Sequence, residues 1–324
     1  MGRLRAARPA PFLVGVLVLI MAACSAVGTG TPGPSGSDGP SPSSSPGGSG
    51  ALPGGEVGAG LLVSVTEIGG LISPDAMYQR LPDIAVYRDG RVFQPGAVPA
   101  IYPGPLLPPL LQTMISPAGV QAVLDLARQD GLADHDQSYL TGIGADMPDT
   151  IVTVVVDGKA IISRFASLGA SGSSLTDPAE IAARAKATDF ISHLTGYPSL
   201  VTQYQVGQSQ PYVPATVQIV ARLGDPSAGV QPSMLAREPL AWPLAAPLSS
   251  FGLAIPATAT PPAVARCGTV AGDDLKLLWP LLQQATQITG FSSGGATWRV
   301  TPTPLLPGQS DMCIGRTDQL QSQP

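Results

Sequence analysis

The chain lacks asparagine entirely and carries only two histidines and three cysteines in 324 residues. Aromatic side chains make up 5% of it and charged ones 12%. These scarcities exclude whole classes of function. Seventeen Lys and Arg against 22 Asp and Glu give a formal charge of −5, so there is no basic excess for a nucleic-acid backbone. Few aromatic rings give no sign of a sugar-stacking cleft. No P-loop, HExxH, SxxK or GxGxxG stands in a supporting context, and neither a cofactor nor a metal ion is expected. The apolar run at 12–21 is too short to cross a bilayer, which needs about 20 residues for roughly 30 Å. What the chain has in quantity is Gly (38) and Pro (35), a share just below the level that marks low complexity throughout. A hydrophobic content of 44% still leaves enough for a core.

The N-terminus reads as an address. Arg3, Arg5 and Arg8 precede the apolar run FLVGVLVLIM, and Ala22, Ala23 and Cys24 follow it. That order is a secretory signal peptide. Met21-Ala22-Ala23-Cys24 resembles the lipobox of bacterial lipoproteins, with Met21 where Leu is usual. The resemblance implies cleavage before Cys24, so that 1–23 is removed, and a diacylglyceryl group on its sulfur. Two or more acyl chains anchor stably where one does not. Cleavage removes three Arg and no acid, so the mature charge is 14 − 22 = −8. Anionic lipid head groups repel an acidic body, which makes the anchor a tether to the membrane and not a docking surface.

Residues 25–55 supply the tether: 24 of these 31 are Gly, Ser or Pro. They have almost nothing to bury and are expected to be disordered. A coil of this length reaches roughly 30 Å on average. The folded body is expected as two α+β subdomains, 56–200 and 201–324, with antiparallel sheets carrying helices on one face.

In the first half, 61–68 (LLVSVTEI) reads as a strand before Gly69-Gly70. The pairs 83–88 with 91–94, and 150–156 with 159–165, read as hairpins around Asp89-Gly90 and Asp157-Gly158, with both turn positions at positive φ. Ser116-Pro117 opens a helix whose stripe is Val120, Val123, Leu124 and Ala127, with Ile115 stapled onto Val120 and Gly131 closing it. Asp177-Pro178-Ala179-Glu180 reads as a capping box before a stripe of Ala183, Ala187, Phe190, Ile191 and Leu194. In the second half, strands are expected at 216–223, 240–244, 264–270 and 296–301. A helix capped by Asp273 or Asp274 buries Leu275, Leu278, Trp279 and Leu282, and Pro280 should kink or split it. Residues 224–262 are otherwise illegible, and the polar end after Cys313 is expected to fray.

With Cys24 lipidated, Cys267 and Cys313 remain as an even pair outside the cytosol and read as a disulfide. His193 reads as packed or half-exposed on its helix. Asp130, Asp134, His135 and Asp136 match no calcium-loop spacing and read as a solvated acidic loop. Gly290-Phe291-Ser292-Ser293-Gly294 spells GxSxG, but a helix precedes it and a strand follows, the reverse of a nucleophile elbow. No catalytic constellation emerges, and the chain is expected not to be an enzyme. The segment 101–110 (IYPGPLLPPL) is rigid and apolar, which makes Tyr102, Pro103, Pro105, Leu106 and Leu107 a candidate binding loop. A connector packed flat over the sheet is the alternative. Leu305-Leu306-Pro307 repeats its character and is expected nearby.

The motifs VTEIGG (65–70), LPDIAVYRDGRV (81–92), IYPGP (101–105), the helix at 116–131 and GGATWRVTPTPLLP (294–307) are similar to those of a family of lipoproteins from high-GC actinobacteria. The absence of Asn and an Arg:Lys ratio of 14:3 agree with a GC-rich genome. The resemblance implies the anchor and an extracytoplasmic location, and no activity. The order of elements in the first half is also similar to emfourin-type metalloprotease inhibitors. The expectation is a membrane-anchored binding or structural module of the cell envelope, with an envelope protein or peptide as partner. The alternatives are a protease-inhibitor module and a hydrolase using paired carboxylates.

Overall fold

Eight strands form the first sheet of the computed structural model. The structure describes residues 60–71, 78, 81–141, 144, 146–170, 175–228, 238–255 and 264–313. Cys24, the signal segment, the tether and the end after Cys313 lie outside the described residues. Strand β1 (Leu61–Gly69) is buried continuously from Leu61 to Val65, because both faces of its sheet are covered. It pairs antiparallel with β2 (Ile84–Tyr87) on one side and with β6 (Pro148–Val156) on the other. With β3 (Arg91–Pro95), β4 (Leu110–Met114), β5 (Gln137–Tyr139), β7 (Lys159–Ala166) and β8 (Gln210–Pro211), the order is β5-β7-β6-β1-β2-β3-β4-β8.

Three helices cover one face: α1 (Pro117–Gln129), α2 (Pro178–Thr195) and α3 (Leu200–Tyr204). Val123, Ala127, Ala187, Phe190 and Leu194 pack there against Val63, Val65, Ile84, Val86 and Phe165. Each fully buried Val, Leu, Ile or Phe among these stabilises by roughly 1.5–3 kcal/mol, and the two alanines by less. The opposite face closes as a smaller cluster in which Leu61, Tyr87, Phe93 and Leu110 meet Leu306.

The second sheet has the order β10-β13-β14-β9-β12-β11. Its strands are β9 (Thr216–Leu223), β10 (Leu240–Ala241), β11 (Leu253–Ile255), β12 (Ala265–Ala271), β13 (Gly290–Ser293) and β14 (Ala296–Pro304). Helix α4 (Gly272–Gln284) sets Leu275, Leu278 and Leu282 against Val217, Ile219, Phe291 and Val300. The fold is thus α+β with a majority of strands. Two edge pairings, β5 with β7 and β10 with β13, are parallel. The change of sheet falls between Pro211 and Thr216, and each half lends apolar side chains to the other. Leu106 sits in the second core, and Leu306 in the cluster behind the first sheet.

Several local expectations need correction. The Asp157-Gly158 turn has both residues at positive φ, 49° and 77°, but Asp89-Gly90 does not follow it. There the loop holds three residues. Only Gly90 is left-handed at 88°, and the Asp89 carboxylate instead accepts from the Arg91 backbone N–H at 3.1 Å. Asp177 caps α2 by accepting from the Ala179 N–H at 2.9 Å, but Glu180 does not close a capping box. Its carboxylate is drawn inward to Arg184. Neither Asp273 nor Asp274 caps α4; Ala271 holds the cap position with no side-chain bond, and the two acids lie in the first turn, where the helix dipole favours them. The helix continues through Pro280 as a single element.

A docking surface at one end of the first sheet

The ends of the first sheet differ in chemistry. At one end the chain enters through Gly60, whose carbonyl accepts from the Arg88 N–H at 2.7 Å, beside the charged turns Arg88-Asp89 and Asp157-Gly158. At the other end stand Gly69, Pro95, Leu110, Pro148 and Ala166, and the loop 96–109 that joins β3 to β4.

That loop is held firmly. Gly96 N–H donates to the Pro109 carbonyl at 2.9 Å and closes its base. Gln287 N–H donates to the Gly104 carbonyl and Leu106 N–H to the Ala285 carbonyl, each at 3.0 Å, which ties its second half to the chain after α4. Pro105 and Thr286 form a β-bridge there. Leu106 is 7% exposed, and Leu107 packs half-buried on the same cluster. Pro103, in a cis peptide with Tyr102, and Pro105 are also half-buried. Leu106 and Leu107 are therefore anchors of the loop, not part of its outer face. The outer face is Val98, Ile101 and Tyr102, at 63%, 66% and 62% exposure. Of the candidate loop residues named from sequence, Tyr102 alone stands fully exposed. Leu71 and Met147 are exposed at the same end of the sheet.

Beside the loop base lies an open groove of about 440 Å³. Its floor is the helix-side face of β1, β3 and β4, which contribute Glu67, Gln94 and Thr113, and its wall is the end of α2 at Ile191 and Thr195. Asp83 completes the lining on the β2 side. The Thr113 and Ser209 hydroxyls hydrogen-bond at 2.6 Å across its margin. None of the described residues lining it carries a positive charge.

Cys267 and Cys313 are joined as a disulfide with Cα atoms 5.5 Å apart. The bond fastens a strap that runs across both sheets. Leu305 N–H donates to the Thr216 carbonyl at 3.0 Å, the Tyr87 hydroxyl to the Pro307 carbonyl at 2.9 Å, and the Tyr212 hydroxyl to the Leu305 carbonyl at 3.0 Å. Met312 N–H donates to Gln218 Oε1 at 2.6 Å. Burial pushes the Tyr87 and Tyr212 hydroxyl pKa values above the ordinary phenol range.

Asp134, His135 and Asp136 are exposed, and Asp136 accepts from the Ile162 N–H at 2.9 Å. Among the described residues no group of three His, Cys, Asp or Glu side chains is placed to hold a metal ion. His193 is exposed on α2. Ser292 lies inside strand β13, paired with Thr297, and Gly294-Gly295 form the turn of a β-hairpin. What sequence reasoning missed is the buried pair of α2. Arg184 donates to Glu180 Oε1 at 2.7 Å and to the carbonyls of Ala166 and Thr141 at 2.7 and 3.0 Å. The i, i+4 spacing of Glu180 and Arg184, in line with Ala187 and Leu194 on the stripe, is the signal that was there to find.

Comparison with protein-family models, with curated proteins and with solved structures gives no match. Among the described residues, no helix is long and apolar enough to cross a membrane.

Proposed function

We propose that the mature chain is a lipoprotein of the extracytoplasmic membrane face, held by acyl chains on Cys24, whose body is a non-catalytic binding module of the cell envelope. The observation that carries this reading is the preformed apolar face of Val98, Ile101 and Tyr102, anchored by Leu106 at the end of the sheet opposite Gly60. These three apolar side chains are exposed within five residues of one loop, the kind of clustering that favours an interaction site. A loop whose base and second half are already tied by backbone bonds loses less entropy on docking than a free segment. A body leashed through Gly60 presents this loop at its far end. A photo-crosslinking residue at Ile101 in intact cells should give a discrete adduct that one at Asp157 does not give. Equal patterns from both positions, or none, would contradict the reading. A secreted protease as the adduct would make the module an inhibitor.

A carboxylate-dependent hydrolase is the second reading, motivated by Glu67 and Asp83 lining one groove. Hydrolysis of an envelope substrate that Glu67→Gln abolishes would carry it.

A further inference from the structure

We propose that this end of the first sheet accepts a basic, apolar peptide segment of its partner. The partner's apolar side chains pack on Val98, Ile101 and Tyr102, and a Lys or Arg side chain reaches Glu67 in the adjoining groove. The inference rests on the loop being the docking surface, and names what docks there.

Charge selects the occupant. From Val92 to Leu124 the chain carries no Asp, Glu, Lys, Arg or His, so the loop itself bears no formal charge, and the Tyr102 ring offers a face that favours a cation. The carboxylate that faces the groove is Glu67, and Asp146 sits on the neighbouring loop, where its carbonyl accepts from the Leu71 N–H at 3.0 Å. Two of the described bases at this end are already engaged. Arg164 holds Asp149 at 2.6 Å, and Arg184 is buried on Glu180 at 2.7 Å. The field at the groove therefore favours a cation, reinforced by the acidic balance of 22 Asp and Glu against 17 Lys and Arg in the whole chain.

The same charges disfavour the other occupants. An anionic lipid leaflet is repelled by Glu67 and its neighbours. A second copy docking by the same patch would bring Glu67 toward its own symmetry mate, since a two-fold interface sets each patch against itself. An acidic peptide meets like charge across the groove. A cationic-apolar segment alone satisfies both halves of the surface. Apolar contacts supply affinity, and the carboxylate supplies orientation and salt-sensitive attraction.

The test uses the full mature chain with Cys24→Ser, and a fluorescent ten-residue peptide alternating Ile and Arg. A matched peptide with Glu for every Arg is the control. The Arg peptide should bind, measured by anisotropy, and the Glu peptide should not. Ile101→Ser should weaken binding by about tenfold or more, as expected of a central apolar contact. Glu67→Gln should weaken it by about fivefold and flatten its salt dependence. Both variants should keep the parent melting temperature. Equal binding of the two peptides, no binding of either at 1 mM, or indifference to both substitutions would overturn the proposal. So would co-sedimentation with anionic phosphatidylglycerol vesicles, or dimerisation in the ultracentrifuge, lost on Ile101→Ser. If position 101 crosslinks an envelope protein in cells while the Arg peptide fails, the partner chemistry is wrong and the docking reading stands.

Discussion

Removing the Cys267–Cys313 bond should cost more than any single contact in the strap it fastens. Its two cysteines are 46 residues apart, and the chain-entropy relation for such a loop gives about 4 kcal/mol. Cys267 is fully buried, so Cys267→Ala with Cys313→Ser is the cleaner variant, because a serine at 267 would bury an unpaired hydroxyl. The four hydrogen bonds that hold Leu305, Pro307 and Met312 to both sheets remain available, so the variant should fold. For a body of this size, roughly 2–4 °C of melting temperature accompany each kcal/mol, so a fall of about 8–16 °C is expected by calorimetry without reductant. The urea midpoint should fall in step. Adding reductant to the parent chain should reproduce the shift, and adding it to the variant should do nothing. A variant within about 1 kcal/mol of the parent would refute the reasoning, because the unfolded chain would then not be the state the bond restrains.

Arg184→Leu should destabilise by about 3–5 kcal/mol in urea titration, since it strands Glu180 as a buried, uncompensated carboxylate. Adding Glu180→Leu to that variant should recover most of the loss; no recovery would show that packing, not charge, is at stake. Gly90→Ala should cost about 2 kcal/mol or more, since φ is 88° and a Cβ would stand 2.5 Å from the Ile115 carbonyl oxygen. Folding unchanged within 0.5 kcal/mol would contradict the turn geometry. Tyr87→Phe should cost about 1 kcal/mol at neutral pH through the lost bond to the Pro307 carbonyl. Because burial raises the Tyr87 pKa in the folded state, its contribution is complete below about pH 10 and is lost as pH rises further. Urea midpoints followed from pH 8 to 12 should fall less steeply in Tyr87→Phe than in the parent.

How far the sequence disclosed this architecture depended on whether a segment carried its own signal. α1 was readable to within two residues, because Ser116, Pro117 and Gly131 punctuate a clean apolar stripe, and Ser116 does accept from the Gly119 N–H at 3.3 Å. β4 is hidden, because LLQTM follows an irregular stretch with five prolines and lacks strict alternation; its pairing with β3 decides it. β13 was hidden within the GxSxG letters. Gly290 belongs there for close packing, since a Cβ would lie 2.7 Å from Thr297 Cγ2. The sequence pattern ends β14 at Thr301, yet the strand runs to Pro304. Pro302 and Pro304 pair only with β9, because β13 reaches no further than Arg299, so their missing N–H groups face no strand. The strands' inward polar side chains were equally unreadable. Gln218 and Thr303 are fully buried because the Tyr78 carbonyl accepts from them at 3.3 and 2.6 Å. Such long-range satisfaction leaves no trace in local periodicity.

The candidate site was legible in part for the same reason. The Pro-rich segment drew notice, but the pattern did not separate its anchors from its exposed face. Leu106 and Leu107 are as apolar as Val98 and Ile101. Only the backbone bonds to Ala285 and Gly104 decide which turn inward. The groove brings together side chains from Glu67 to Ser209, and no sequence spacing relates them.

The proposed envelope role depends most on the leash. Intact-mass analysis of the protein recovered from membranes should show a chain of 301 residues beginning at Cys24 and heavier by two or three acyl chains. A mature start at any other residue without fatty chains, or the unmodified protein free in the medium, would contradict it.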